Sequence, residues 1–258
     1  MVLSVSDIER IIKNIHRNVT ANRGNNILIE ETKLKKVKTD LIKLKNDFIS
    51  LITSPFDWDI DLINYFLCFL ALLTVCLFID EYFRDYVKTI HNNFYDTVFS
   101  VARWYGKPPL TIFTFVIFYL GGLFKTKNEI RTIGIKIFES FLFSGILITI
   151  IKSIIGRYRP YTENGSWSFV PFTLGPNEHL SFPSGDVAVA SAFSVIIAGI
   201  FQNKLWKIFW YLIAAVTSIG RIYYDRHWAS DVAAAAIITI WVGNFINKIN
   251  KTVVENRE

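Results

Sequence analysis

The chain has 258 residues, of which 52% are hydrophobic and 19% are charged, and its formal net charge is +6. A mean hydropathy of +0.33, with several long stretches almost free of charge, excludes an ordinary soluble domain and indicates a polytopic membrane protein. A nucleic-acid-binding protein would interleave basic residues with exposed aromatic side chains, whereas the aromatic residues here lie mostly in the apolar stretches. The positive charge instead fits contact with anionic lipid headgroups.

Residues 1–56 are polar and charged, which predicts a helical cytoplasmic extension rather than a signal peptide. Apolar side chains recur in this extension at alternating spacings of three and four residues, as in an a/d stripe. The stripe comprises Leu34, Val37, Leu41, Leu44, Phe48 and Leu51. It predicts either an amphipathic helix that packs on its own protein or on the membrane, or a self-association element that resembles a short coiled coil.

Six apolar segments predict an all-α fold with six transmembrane helices within residues 57–248, followed by a cytoplasmic tail at 249–258. The predicted spans are 61–80, 109–124, 134–155, 185–202, 206–222 and 230–247. The connection between the first two spans is too polar to cross the bilayer, and it predicts a helix that lies in the interface.

Charge predicts the orientation of these spans. Lysine and arginine residues lie before the first span, after the second and fourth spans, and in the tail, which the positive-inside rule places in the cytoplasm. The sequence therefore predicts an integral membrane protein, of the inner membrane if the cell is bacterial. The opposite span ends would meet at the non-cytoplasmic face.

Three polar clusters occupy those opposite span ends, and the best defined contains His227 and Asp231. Their spacing of four residues places them on one helical face. A carboxylate that accepts from one imidazole nitrogen leaves the other free as a nucleophile or base. A purely structural contact between the two residues is the plainer interpretation of this pair alone.

Cationic residues change that interpretation, because Arg221, Lys152 and Arg159 lie at the same face. Three cations around one imidazole repel one another unless an anion lies among them. Phosphate fits, since arginine offers a bidentate fork and lysine a point charge. The turn before the fourth span, Ser184-Gly185, adds backbone N–H groups and a hydroxyl at a helix N-terminus, which is a ready anion site. The sequence therefore predicts a phosphate site beside lipid.

These clusters have the spacing of three known motifs. The segment from Lys152 to Pro160 matches the first motif fully. The segment from Pro183 to Asp186 matches the second motif except at its last position, where the motif has histidine. The segment from Gly220 to Asp231 matches the third motif except that Gly220 replaces a serine. Over about residues 60–248 the chain thus resembles the type-2 phosphatidic acid phosphatases, which are membrane lipid phosphatases related to vanadium haloperoxidases.

The resemblance implies a two-step mechanism. His227 would attack phosphorus and form a phosphohistidine, while Asp231 orients its ring. No metal or other cofactor is implied. The residues implied to hold the phosphoryl oxygens are Lys152, Arg159, Ser184, Gly185 and Arg221.

Asp186 takes the position of the family histidine that protonates the leaving oxygen. A carboxyl group with an ordinary pKa of about 3.9 can do this only while it is protonated. His179, seven residues upstream of Asp186, is an alternative donor. Three accounts stay open: Asp186 is the acid, the leaving group needs little protonation (as with a diphosphate), or the chain binds phosphate lipids without hydrolysing them.

The predicted function is hydrolysis of the phosphomonoester or diphosphate of a membrane lipid. The candidate classes are phosphatidate, phosphatidylglycerophosphate, undecaprenyl diphosphate and lipid A. The alternatives are a lipid-to-lipid phosphotransferase and a non-catalytic phospholipid-binding pseudoenzyme. The predicted partners are a lipid phosphate and the membrane, without nucleic acid.

Overall fold

The computed structural model describes residues 30–255, and the chain divides into two units, residues 1–46 and residues 47–258. The described part of the first unit, residues 30–46, is helical. Residues 1–29 of the predicted extension and residues 256–258 of the tail lie outside the described residues. Self-association through the a/d stripe stays a prediction.

The described part of the second unit is built almost entirely from helices. Residues 47–53 are helical, and seven further α-helices follow, besides short 3-10 helices at Ser54–Asp57, Pro160–Thr162 and Asn177–His179. They are α1 (Ile60–Thr89), α2 (Asn93–Tyr105), α3 (Pro108–Phe124), α4 (Asn128–Ile155), α5 (Gly185–Ile200), α6 (Lys204–Tyr223) and α7 (Ala229–Glu255). Between residues 30 and 255 there is no β-strand, so the predicted all-α fold is confirmed.

Local sequence signals start and stop these helices. The Asp59 side chain caps α1 by accepting from the Leu62 N–H at 2.8 Å, and α3 begins with two prolines, whose missing N–H groups cost nothing at a helix start. α4 ends at Gly156, which has a φ of 61°. A β-carbon there would lie 1.7 Å from the Val170 carbonyl oxygen, so glycine is required where the chain turns back over the site.

Within residues 30–255, four helices are long and apolar enough to cross a membrane: α1, α4, α6 and the Ala229–Asn250 part of α7. A fifth crossing results if α2 and α3, which meet at 45°, are counted as one broken span. α5 has only 16 residues. The chain is an integral membrane protein whose helices coincide with the six predicted segments, while the count of six spans stays a prediction.

α5 lies at the centre of the bundle and packs against α4, α6 and α7. Its side chains are buried on all sides, including Val187, Ala190 and Val195. Small residues permit this close packing, as is usual between membrane helices. At about 24 Å, α5 is shorter than the hydrocarbon core, but protein rather than lipid surrounds it. The start of α5 is thereby fixed in the middle of one end of the bundle.

Candidate active site

A cavity of about 520 Å³ opens at the bundle end where α2, α4 and α6 finish and α5 starts. Of the eight predicted site residues, six line this cavity: Lys152, Arg159, Gly185, Asp186, Arg221 and His227. The other two, Ser184 and Asp231, are fully buried. The fold thus brings three clusters that are distant in sequence to one place.

His227 is buried, and its two ring nitrogens have different partners. Nδ1 lies 2.9 Å from the Ser181 carbonyl oxygen, and Nε2 lies 3.3 Å from Nη1 of Arg159. Because a carbonyl oxygen can only accept, Nδ1 carries the proton and Nε2 accepts from Arg159. The unprotonated nitrogen, Nε2, therefore lies on the edge of the ring that faces the cationic residues of the cavity.

Asp231 lies against the His227 ring but makes no hydrogen bond to it. Its Oδ2 lies 3.6 Å from Nδ1, which is too long for a hydrogen bond. The carboxylate instead accepts from the Trp228 N–H at 2.8 Å and from the Ser181 hydroxyl at 2.5 Å. Ser181 therefore links the two predicted partners, with its hydroxyl on Asp231 and its carbonyl on His227.

Arg157 was not among the predicted site residues, although it lies inside the first motif. Its guanidinium is fully buried and bridges two carboxylates, with Nη1 2.8 Å from Asp231 and Nη2 2.7 Å from Asp80. Ser230 contacts both Arg157 and Asp80. An acidic residue near the end of an apolar span, such as Asp80, was the available signal, because such a residue needs a partner.

Lys152 and Arg159 hold the loop that surrounds His227. The Lys152 ammonium donates to the carbonyl oxygens of Leu180 at 2.5 Å and Pro183 at 2.7 Å. Arg159 donates to both the main-chain and side-chain oxygens of Asn177 at 2.8 Å. These two cations therefore stabilise the loop around His227 and also contribute positive charge to the cavity.

Ser184 precedes α5 and is fully buried. Its hydroxyl has no hydrogen-bond partner among the described residues, and it does not cap the helix. A buried polar group without a partner costs free energy unless a ligand satisfies it. The hydroxyl and the free N–H groups of the helix start are both suited to an anion.

Asp186 forms two ion pairs. Lys107 donates to both of its carboxylate oxygens, at 2.9 and 3.0 Å, and Arg221 Nε lies 3.1 Å from Oδ2. The turn at Gly106 makes this possible, since a β-carbon there would lie 2.7 Å from the Asp186 carbonyl oxygen. Lys107 is not among the site residues predicted from the sequence, because it lies 79 residues from Asp186. His179, the alternative proton donor, packs against Tyr158 with the ring centroids 4.4 Å apart and does not line the cavity.

The cavity is strongly cationic. Its lining contains six basic side chains and a single carboxylate, a net formal charge of +5 with His227 neutral. The basic residues are Arg103, Lys107, Lys152, Arg159, Arg221 and Arg226. Such a concentration of one sign of charge attracts anionic substrates. Across the described residues, no group of three His, Cys, Asp or Glu side chains is arranged to hold a metal ion.

Burial lowers the pKa of His227 to about 4, and the nearby cations Arg159 and Lys152 act in the same direction. The ring is therefore neutral, and Nε2 available, throughout the neutral range. We expect kcat/KM for phosphate release to stay level from neutral pH down to roughly pH 5 and to fall only below it, because protonation of Nε2 removes the nucleophile. A pH profile corrected for titration of the substrate phosphate measures this. An acid limb near 6.5, the ordinary histidine value, would contradict it.

Known proteins resemble the chain in both sequence and structure. The sequence model of the PAP2 superfamily matches residues 133–255. A lipid A 1-phosphatase of Rhizobium johnstonii is 29% identical over 150 residues, which are 53% of this chain and 60% of that protein. An undecaprenyl-diphosphatase of Sulfolobus acidocaldarius is 27% identical over 123 residues, 47% of this chain and 57% of that protein.

The chain therefore spans about three fifths of the length of these two curated relatives. A transmembrane PAP2-type phosphatidylglycerolphosphate phosphatase from Bacillus subtilis has a similar crystal structure, with a TM-score of 0.59 and 20% sequence identity. That match covers 74% of this chain and 96% of the Bacillus protein, and it shows a shared fold. The family resemblance predicted from the sequence is confirmed, because residues 133–255, which match the PAP2 superfamily model, contain all three motifs.

Proposed function

We propose that the chain is a membrane phosphatase that hydrolyses a lipid-linked phosphate through a phosphohistidine. The observation that carries this proposal is the unprotonated Nε2 of buried His227, which meets Arg159 in a cavity with a net formal charge of +5. The curated relatives named above, a lipid A 1-phosphatase and an undecaprenyl-diphosphatase, act on phosphates of membrane lipids and support it.

In the first step, Nε2 of His227 attacks phosphorus and forms a P–N bond. The P–O bond to the leaving group breaks, and the electron pair goes to the leaving oxygen. Negative charge that grows on the phosphoryl oxygens is neutralised by Arg159 and Arg221 and by the N–H groups at the start of α5. The Nδ1 proton stays on the ring, where the Ser181 carbonyl stabilises the positive charge.

In the second step, water attacks the phosphohistidine. The P–N bond breaks, the electron pair returns to Nε2, and inorganic phosphate leaves. The ring is again neutral, with its proton on Nδ1.

An apolar cavity of about 270 Å³ adjoins the cationic one and offers a place for the lipid chain. It lies between α3, α4 and α5, with Pro108, Phe141 and Ile148 in its wall. Lys152, Gly185 and Asp186 line both cavities. A lipid with its phosphate at His227 would therefore have a path for its hydrocarbon into the helix bundle.

The distribution of lysine and arginine among the ends of the spans supports a reaction at the non-cytoplasmic face, within a phosphatase domain formed by residues 57–248. In a bacterium the membrane would be the inner membrane.

The test is phosphate release by the detergent-purified chain from a panel of lipid phosphates labelled with ³²P. We expect released phosphate together with an acid-labile label on the protein. Adding an acceptor lipid distinguishes a phosphotransferase, since the label would then appear on the acceptor. Lipid binding with neither release nor labelled protein would contradict the proposal and indicate a pseudoenzyme.

A further inference from the structure

Two groups of cations line the cationic cavity. The inner group, Lys152, Arg159 and Arg221, is buried or half-buried and belongs to the family motifs. The second group, here called the rim cations, comprises Arg103, Lys107 and Arg226, which lie outside those motif positions. Arg103 and Arg226 are exposed, while Lys107 is half-buried.

The rim cations exceed what one phosphate needs. A phosphomonoester carries at most two negative charges, and the inner group already supplies three positive charges to the cavity that His227 lines. Like charges crowded at one opening destabilise the protein unless an anion lies among them. Asp186 offsets only one of the rim charges, through its ion pair with Lys107.

Asp186 provides an independent observation. Its carboxylate oxygens accept hydrogen bonds from Lys107, and Oδ2 also faces Arg221. Because both oxygens are held by cationic donors, the carboxylate is not placed to give a proton to a leaving group. A lipid alkoxide needs such a proton, whereas a lipid monophosphate, whose second pKa is about 6, leaves as a stable anion without one.

The position of Lys107 indicates where a second phosphate would bind. Lys107 lines the cationic cavity, and the next residue, Pro108, lines the apolar cavity. Asp186, its ion-pair partner, lines both. A group between the reacting phosphate and the lipid chain would therefore lie beside Lys107.

From these observations we infer that the rim cations form a second phosphate subsite and that the substrate is a lipid diphosphate. The inference rests on the proposed phosphatase function and specifies its substrate class. His227 attacks the terminal phosphorus, and the bond from that phosphorus to the bridging oxygen breaks. The electron pair goes to the bridging oxygen, which leaves as part of the lipid monophosphate held by the rim cations. Water then releases the terminal phosphate from His227.

The test compares farnesyl diphosphate with farnesyl monophosphate, which differ only in the second phosphate. For the wild-type chain we expect kcat/KM to be at least about tenfold higher for the diphosphate, with inorganic phosphate and farnesyl monophosphate as products. The variant Arg103→Ala/Arg226→Ala should lose about 10- to 100-fold on the diphosphate and less than about threefold on the monophosphate. Lys107→Ala should show the same selectivity.

Lys88→Ala is the matched control, because it removes an exposed cation of α1 that does not line the cavity, and it should change neither rate. Inorganic pyrophosphate, which has two phosphates and no chain, should react at least about tenfold more slowly than farnesyl diphosphate. Equal rates for these two would overturn the lipid part of the inference.

The remaining outcomes separate this inference from the proposed function. Hydrolysis of the monophosphate at the same or a higher kcat/KM, or equal losses on both substrates in the rim variants, overturns the diphosphate subsite but leaves a lipid phosphatase. Hydrolysis of neither substrate by the wild-type chain, with no phosphohistidine formed from either, overturns both.

Discussion

Replacing His227 by alanine abolishes phosphate release, with an expected fall in turnover of at least about 10³-fold. The substitution removes Nε2, the nitrogen that accepts from Arg159 and meets the cationic cavity. No other histidine between residues 30 and 255 lines that cavity. The acid-labile ³²P label on the protein should disappear together with the released phosphate, which shows that the chemical step itself is lost.

The matched control for this variant is His91→Ala. His91 is exposed, stacks on Tyr223 at 3.9 Å and does not line the cavity. It should therefore retain release close to that of the wild-type chain. Thermal unfolding of both variants in detergent confirms that each is folded. Full activity in a folded His227→Ala chain would end the assignment of His227 as the nucleophile.

Replacing Arg157 by alanine should destabilise the protein by about 3–5 kcal/mol, because it leaves two buried carboxylates without their shared partner. Arg157, Asp80 and Asp231 are all at most 1% exposed, so solvent cannot screen the charges that remain. The unfolding midpoint in detergent should fall by many degrees, and activity should fall with it. Arg103→Ala, at an exposed position, should shift the midpoint little.

Two companion variants test whether the effect comes from the bridge itself. In Arg157→Ala/Asp80→Asn one of the two stranded carboxylates is neutral, so the double variant should recover part of the lost stability. Arg157→Lys keeps the charge, but a single ammonium lacks the planar fork that joins two carboxylates. Its unfolding midpoint should therefore be only slightly higher than that of Arg157→Ala. An Arg157→Ala midpoint equal to that of the wild-type chain would show that the buried bridge contributes no net stability.

The helices and the convergence of the three clusters could be predicted because both depend on features local in sequence. Apolar runs mark the helices. Because successive spans cross the membrane in opposite directions, the predicted clusters at their ends lie on the same face, however the helices pack against one another. The PAP2 assignment followed from the same short segments, Lys152 to Pro160 and Gly220 to Asp231.

The contacts that refine the site could not be predicted in the same way, because they join distant parts of the chain. Asp80 lies 77 residues before Arg157, and Lys107 lies 79 residues before Asp186. These two ion pairs form only because α1 and the turn between α2 and α3 pack on the rest of the bundle. The number of spans was also hard to predict, because α5 is short and enclosed by protein. Hydropathy measures only the apolar content of a segment and does not distinguish a helix enclosed by protein from one surrounded by lipid.

The link through Ser181 has a consequence for how the nucleophile tolerates mutation. The group that keeps the proton on Nδ1 of His227 is a main-chain carbonyl oxygen, which every amino acid supplies. Exchanging the side chain at this position removes only the contact to Asp231. The choice of tautomer is thus encoded by the path of the backbone from Leu180 to Pro183, and a comparison of side-chain identities among relatives would not reveal it.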